Sequence, residues 1–429
     1  MASKRSPLCT IFILFMLFSC SPYLASSSTS TSTFPSTICN STPHPSLCKS
    51  NLPPNELSTI HNYGMYYLHQ SLSFAKGFLS LVKSYPIIFH SSYSISAIHT
   101  LKDCQLLADL NVDFLSKTFQ TISSTNSLSR MQVEDLHTLL SATLTNQETC
   151  SDGLLELTSE LDSSLKNKQA LFDDGWGRYR PDCDLRQSQN ADNWTTFNCA
   201  TFAVGGQGFV AKEISFRNTA GPRKGQAVAV RNGADLSTFY KCSFEGYQDT
   251  LLTHSLRQFY KECDIYGTID FIFGNAAVVF QDCNIYLRLP LHGQCNVITA
   301  QGKTDPNQNT GISMHLCSIR AAENLDRIET YLGRPWKEYS TTVYTQSFMD
   351  SLINSKGWLT WNDSGFALKT LYYGEYDNKG PGSVTSERVT WHSYHVMNKK
   401  QAYHFTVCNF IQGNKWLPAA QGPYTCGLL

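Results

Sequence analysis

The sequence predicts a mainly β protein with an α domain ahead of it: a parallel β-solenoid preceded by an up-and-down four-helix bundle. Three observations carry that prediction. A short phrase alternating apolar and polar residues recurs as YKCSF at Cys242, YKECDIY at Cys263 and FQDCNIY at Cys283, at intervals of 21 and 20 residues. It returns as HLCSI at Cys317 after a longer gap. Short strands repeating every ~20–25 residues mark a solenoid. Ahead of this, apolar residues between Ile60 and Leu165 recur at helical spacing. Between the two regions lies a stretch, 167–192, of mixed Asp, Arg and Pro composition that suits a linker.

Basic and acidic residues balance at 34 each. That disfavours a nucleic-acid binder or a strongly electrostatic partner. Residues 1–26 have a basic start at Lys4 and Arg5, an apolar core IFILFMLF and small residues near Ala25. They read as a secretory signal peptide, the core being short for a membrane span. A Ser/Thr run over 27–34 reads as linker. The bundle, 35–166, then takes one helix with Leu68, Leu72, Ala75, Leu79 and Val82 on a face, a second from Ile98 through Phe114, a third over Val133 to Cys150 and a fourth over Leu154 to Leu165.

Fifteen cysteines in a secreted chain suggest disulfides. Cys242, Cys263, Cys283 and Cys317 form a column with Cα atoms in bridging reach. Pairing 242–263 with 283–317 uses all four, and 263–283 is equally open. Cys408 and Cys426 can join each other, whereas spacing assigns no partner to Cys183, Cys199 or Cys295. Sequons at Asn40, Asn193 and Asn362 are candidate glycan sites in such a compartment, though such triplets often go unused.

Candidate chemistry sits in Gly246 to Asn275. Asp249 follows Tyr247 and Gln248; Asp270 precedes Phe271; they are 21 residues apart. One repeat apart in a parallel stack means neighbouring strands, about 4.8 Å. Two carboxyls so placed cannot both ionise readily, which yields a base or nucleophile and a neutral acid. Gln226, 23 residues before Asp249, falls near the same column. As lone residues in turns, aspartates are ordinary turn formers. The match in phase is what raises them above that.

GYQDTL, GTIDFIFGNAAVVFQDC, ITAQGKTDPNQNTG and YLGRPWKEYS resemble the plant pectin methylesterases, carbohydrate esterase family 8, from about Asn193 to the C-terminus. The resemblance implies a right-handed parallel β-helix over 193–429. It implies Asp270 as nucleophile on a galacturonate methyl ester, Asp249 as acid and then base, and Gln226 and Gln248 against the oxyanion. It further implies Arg334 as the partner of Asp270, Trp336 as a flat face for the sugar, Thr196 as a substrate contact, and no metal or cofactor. STPHPSLC, LKDCQLLADL and QETCSDGL resemble the plant invertase/pectin methylesterase inhibitor, whose pattern would join Cys39 to Cys48 and Cys104 to Cys150.

One departure stands out. The family opens its β-helix with about 70 residues, including a GxYxE motif, that are missing here, and a solenoid needs its end rungs capped. Arg178 to Arg180 is a poor copy of the family's basic processing site. The expectation is a secreted cell-wall pectinesterase acting as a monomer on methyl-esterified homogalacturonan, with an inhibitor-like pro-domain in contact with it or with another methylesterase. No nucleic acid, and no membrane after signal cleavage, is expected. The alternatives are an incompetent truncated form that binds pectin or only inhibits, and a β-helix glycosidase using the same two carboxylates.

Overall fold

The computed structural model describes residues 39, 45–50, 60–88, 95–125, 127–156, 195–325, 327–362 and 364–429. The signal peptide, both linkers, the Arg178–Arg180 segment, Cys183, the sequons at Asn40 and Asn193 and the side chain of Cys48 lie outside them. The chain divides into a helical unit and a unit of parallel strands.

The helical unit holds α1 (Pro45–Ser50), α2 (Ile60–Ile88), α3 (Ile95–Ser123) and α4 (Arg130–Glu156). Helix α4 starts at a reciprocal cap: Gln132 N donates to Ser129 Oγ at 3.3 Å and Ser129 N to Gln132 Oε1 at 2.9 Å, satisfying two amides no helical carbonyl can reach. Tyr67 and Leu68 from α2, Leu115 from α3 and Leu136 and Leu140 from α4 share one buried cluster. Cys104 and Cys150 bridge α3 to α4. Cys39 is disulfide-bonded. The boundary expected before Leu154 is corrected: α4 runs through it to Glu156 without a break. Gly153 does not end the helix, because it is a contact point, its Cβ position 3.1 Å from Thr100 of α3. Residues 157–165 of the expected fourth helix lie outside the described residues.

In the other unit, every strand pairing is parallel and the strands form three sheets of six, eight and six. The first runs through Phe202–Val204, Val230–Asn232, Leu251–Thr253, Ile269–Gly274, Asn296–Gln301 and Thr330–Gly333. The chain visits the three sheets in turn and returns, which is a β-helix. Pairing in register stacks like on like. Phe239, Tyr260, Phe280, Met314 and Tyr344 form one inward column on the second sheet. Their rings stack, Phe239 on Tyr260 at 4.9 Å and Tyr260 on Phe280 at 4.7 Å between centroids. On the third sheet Phe244, Ile265, Ile285 and Ile319 do the same.

The bend from the second sheet to the third is the same on each turn of the coil. It takes two residues, the first in the left-handed region: Glu213, Lys241, Glu262, Asp282, Leu316 and Gln346 have φ of 56°, 53°, 53°, 54°, 58° and 51°. The second residue of four of these bends is a member of the cysteine column. The longer interval before Cys317 comes from the other two corners, where 288–295 and 302–310 add length.

The bridges expected among Cys242, Cys263, Cys283 and Cys317 are not formed; all four are buried free thiols. Register is the reason. Stacked strands hold equivalent Cβ atoms parallel at about the 4.8 Å ladder spacing, whereas a bridge wants them converging to about 3.8 Å. The sulfurs bond instead to backbone: Cys263 to Phe239 O at 3.4 Å, Cys283 to Tyr260 O at 3.5 Å and Cys317 to Phe280 O at 3.4 Å. Cys408 and Cys426 are bridged. They belong to the C-terminal tail, which contains α5 (Lys399–Tyr403), α6 (Val407–Phe410) and α7 (Gly413–Ala420). Val407, Ile411 and Leu417 of the tail bury against Phe259, Ala277 and Val279 of the second sheet.

Thiol titration of the denatured, unreduced protein checks the column. Cys283→Ser should lower the count by one per chain, since it deletes a free thiol. A count that rises by one, because a former partner is released, would restore the bridge.

Candidate active site

Asp249 lies just before Leu251–Thr253 and Asp270 lies in Ile269–Gly274, at φ of 61° and 50°. Aspartate enters this region more readily than most residues, because its short side chain bonds locally. Asp249 N donates to Ile269 O at 3.0 Å, so the two aspartates stand side by side on successive rungs. Both are buried.

Their surroundings differ. Arg334 follows Thr330–Gly333, its N bonded to Thr299 O at 3.0 Å, and its guanidinium reaches Asp270 from two strands away. Arg334 Nε donates to Asp270 Oδ1 at 2.9 Å and Nη2 to Oδ2 at 2.6 Å. Such a fork-on-carboxylate pair fixes both charge and aim. The guanidinium carbon lies 4.5 Å from the centroid of the Trp361 ring, which covers its face. The Asp249 carboxyl has no hydrogen-bond partner among the described residues. Burial first, and the charge of Asp270 second, push its carboxyl well above the ordinary value, with Arg334 opposing. The pair therefore divides into an ion-paired carboxylate and a neutral acid.

Ala227 N donates to Gln248 O at 3.1 Å, which sets Gln226 against Gln248 and Asp249. Thr196 Oγ1 donates to Gln226 Oε1 at 3.0 Å, so the oxygen end of that amide is occupied and its NH2 end is turned outward. Gln248 is buried and its amide has no partner among the described residues. Trp336 meets Phe273 edge to face at 5.9 Å. A Cβ on Gly302 would stand 2.8 Å from Trp336 Cε3, so the bare backbone there makes room for the indole. An aimed carboxylate, a neutral carboxylic acid and two amides within one patch can carry acyl transfer at an ester.

All seven predicted residues thus converge: Gln226, Gln248, Asp249, Asp270 and Arg334 directly, Thr196 through Gln226 and Trp336 through Phe273. Phe271 belongs to the core and Phe273 to the Trp336 face. His254 is buried on Phe197 at 5.0 Å, and burial, with Arg231 adding, lowers its pKa to about 3. Sequence reasoning missed Trp361 and Cys199. Trp361 lies in a turn with no periodicity to mark it.

A family model described as Pectinesterase matches residues 166–414, more than half of the chain. Probable pectinesterase/pectinesterase inhibitor 20 of Arabidopsis thaliana is 40% identical over 92% of this chain and 94% of its own length. The chain belongs to the pectinesterase family. Pectinesterase 2 of Citrus sinensis is 60% identical over 54% of this pectinesterase and 46% of its own length. The solved pectin methylesterase from carrot superposes with a TM-score of 0.54 at 54% identity, over 55% of this chain and 76% of that one. A second model, the plant invertase/pectin methylesterase inhibitor, matches residues 33–174. The protein is a pectinesterase, a carboxylic ester hydrolase, with an inhibitor-like N-terminal domain. The Arabidopsis alignment spans 529 positions, more than the 429 residues of this pectinesterase, so the relative carries segments that are absent here.

Two outcomes check the electrostatics. Arg334→Ala should destabilise the fold by about 3–5 kcal/mol in denaturant melts, because the buried Asp270 loses its ion-pair partner. Asp249→Asn should raise Tm at neutral pH. The native state holds the Asp249 proton more tightly than the unfolded chain, so the wild type loses stability as pH rises above the ordinary carboxyl value of 3.8. The advantage of the variant should vanish as pH falls below that value, and a gain unchanged across the range would contradict the raised carboxyl.

Proposed function

We propose that this pectinesterase hydrolyses the C6 methyl ester of galacturonate in homogalacturonan through a covalent mixed anhydride with Asp270. The observation that carries the reading is the unequal carboxyl pair, one gripped by Arg334 and the other buried with no hydrogen bond to its carboxyl. An Asp270 oxygen attacks the ester carbonyl, and the tetrahedral oxyanion takes hydrogen bonds from the amides of Gln226 and Gln248. Asp249 gives its proton to the departing methoxide, which leaves as methanol. A water molecule then attacks the galacturonyl carbonyl of that anhydride, passing a proton to Asp249. The tetrahedral centre collapses to the galacturonic acid carboxyl, which releases its proton to solvent, and to the Asp270 carboxylate, so both aspartates regain their starting states.

Trp336, held by Phe273, offers the aromatic face that a pyranose ring stacks on. The signal-like first 26 residues support secretion and a cell-wall substrate. Among the described residues no helix is long and apolar enough to cross a membrane. The inhibitor-like domain, which we place at 35–166, serves as a pro-region restraining this or another methylesterase. We place the catalytic domain at 193–429.

An incompetent, pectin-binding form is favoured by one observation. The first turn of the coil exposes Phe202, Val210 and Ile214 at 39%, 41% and 46%, apolar surface that a further turn would bury. Methanol release from esterified pectin decides between the readings. Wild type should release methanol, Asp270→Asn should release none above background, and Gln226→Ala should lose about 10²-fold in kcat. New reducing ends without methanol would point to glycosidic cleavage.

A further inference from the structure

We propose that Cys199 is a positioning residue for the oxyanion side of the site, its thiol tying the turn that carries Thr196 to the segment that carries Gln226. The proposal rests on the reading of Gln226 as an oxyanion donor.

The argument starts from the ladder. Ala227 N and Ala229 N bond forward to the next rung, to Gln248 O at 3.1 Å and Thr250 O at 2.8 Å. Strand alternation turns Val228 N the other way, towards the preceding rung. There the chain has not yet become a strand. Residues 196–198 form a turn, with Asn198 N and Cys199 N both bonded to Thr195 O. The sulfur fills the vacancy in the ladder: Val228 N donates to Cys199 Sγ at 3.4 Å, and Sγ donates to Thr196 O at 3.3 Å. Thr196 Oγ1 in turn holds Gln226 Oε1. The bonds close a ring running Cys199, Thr196, Gln226, Ala227, Val228 and back.

Ala227, the next member of the ring, stands opposite Asp249, since its N bonds to Gln248 O. Burial pushes the Cys199 thiol up to about 11, with the bond from Val228 N opposing, so it stays a neutral donor. Asp249 itself faces Asp270 and Arg334.

The test compares kcat and KM for methanol release in wild type, Cys199→Ala, Cys199→Ser and the same changes on Gln226→Ala. Cys199→Ala should lower kcat about tenfold with KM within about twofold, because the loss is one of aim rather than binding. Serine keeps a donor and an acceptor and should recover most of it. On Gln226→Ala, the alanine change should cost nothing further, since Cys199 acts through that amide. Equal losses in both backgrounds, a loss confined to KM, or no recovery with serine would overturn the proposal. Should Cys199→Ala fail to fold, methyl methanethiosulfonate supplies the same test on folded wild type. Cys199 Sγ loses its proton and displaces methanesulfinate, leaving a methyl disulfide that cannot donate. The kcat should fall similarly, return on reduction, and stay unchanged in Cys199→Ser; a fall that persists in the serine variant would also overturn it. Wild-type methanol release and its loss in Asp270→Asn are read in the same assay, so failure of the ester-hydrolysis reading shows there first and separately.

Discussion

Registered parallel stacking is the constraint on which both halves of the catalytic unit depend. Each residue must be compatible with the one above and the one below, about 4.8 Å away. For aromatic and branched residues this is favourable: the column from Phe239 to Tyr344 buries large apolar surface and adds ring stacking. For aspartates it is unfavourable, and the chemistry arises there. Asp249 beside Asp270 would be a defect in a structural column. Arg334 resolves it by neutralising one member only, leaving the other to keep its proton.

The Arg334 arrangement has further support. Trp361 shields the guanidinium from the side, and the fork geometry occupies both oxygens of Asp270. Asp270 nevertheless keeps lone pairs for the substrate, since each carboxylate oxygen can take more than one bond. Burial that strengthens the ion pair also raises the proton affinity of Asp249. Activity and stability thus pull against each other within one pair of side chains, as is common where reactive groups are held ready.

Much of this was legible in the sequence because the fold repeats itself. The recurring phrases gave the coil, and the 21-residue interval gave the neighbouring carboxyls before any coordinate was known. What failed did so for physical reasons. The cysteine column was read as paired because proximity was visible and side-chain direction was not; parallel Cβ vectors make four close thiols into four separate ones. The helix boundary before Leu154 was misplaced because Gly153 is small for packing against Thr100 rather than for ending a helix. Cys199 stayed hidden because its role is to replace a missing ladder bond, and no pattern in a linear sequence records a vacancy in the third dimension.

The uniform bend between the second and third sheets has a consequence for how this architecture can diversify. Two residues, one left-handed, leave no slack, so an insertion at that edge would throw every later strand out of alignment. The other two edges already tolerate spans as different as 254–256 and 302–310. New surface loops can therefore be grafted only along those margins. Since Gln248, Asp249 and Arg334 stand on them, evolutionary tinkering with loop length is channelled towards the rim of the reactive patch and away from the opposite wall.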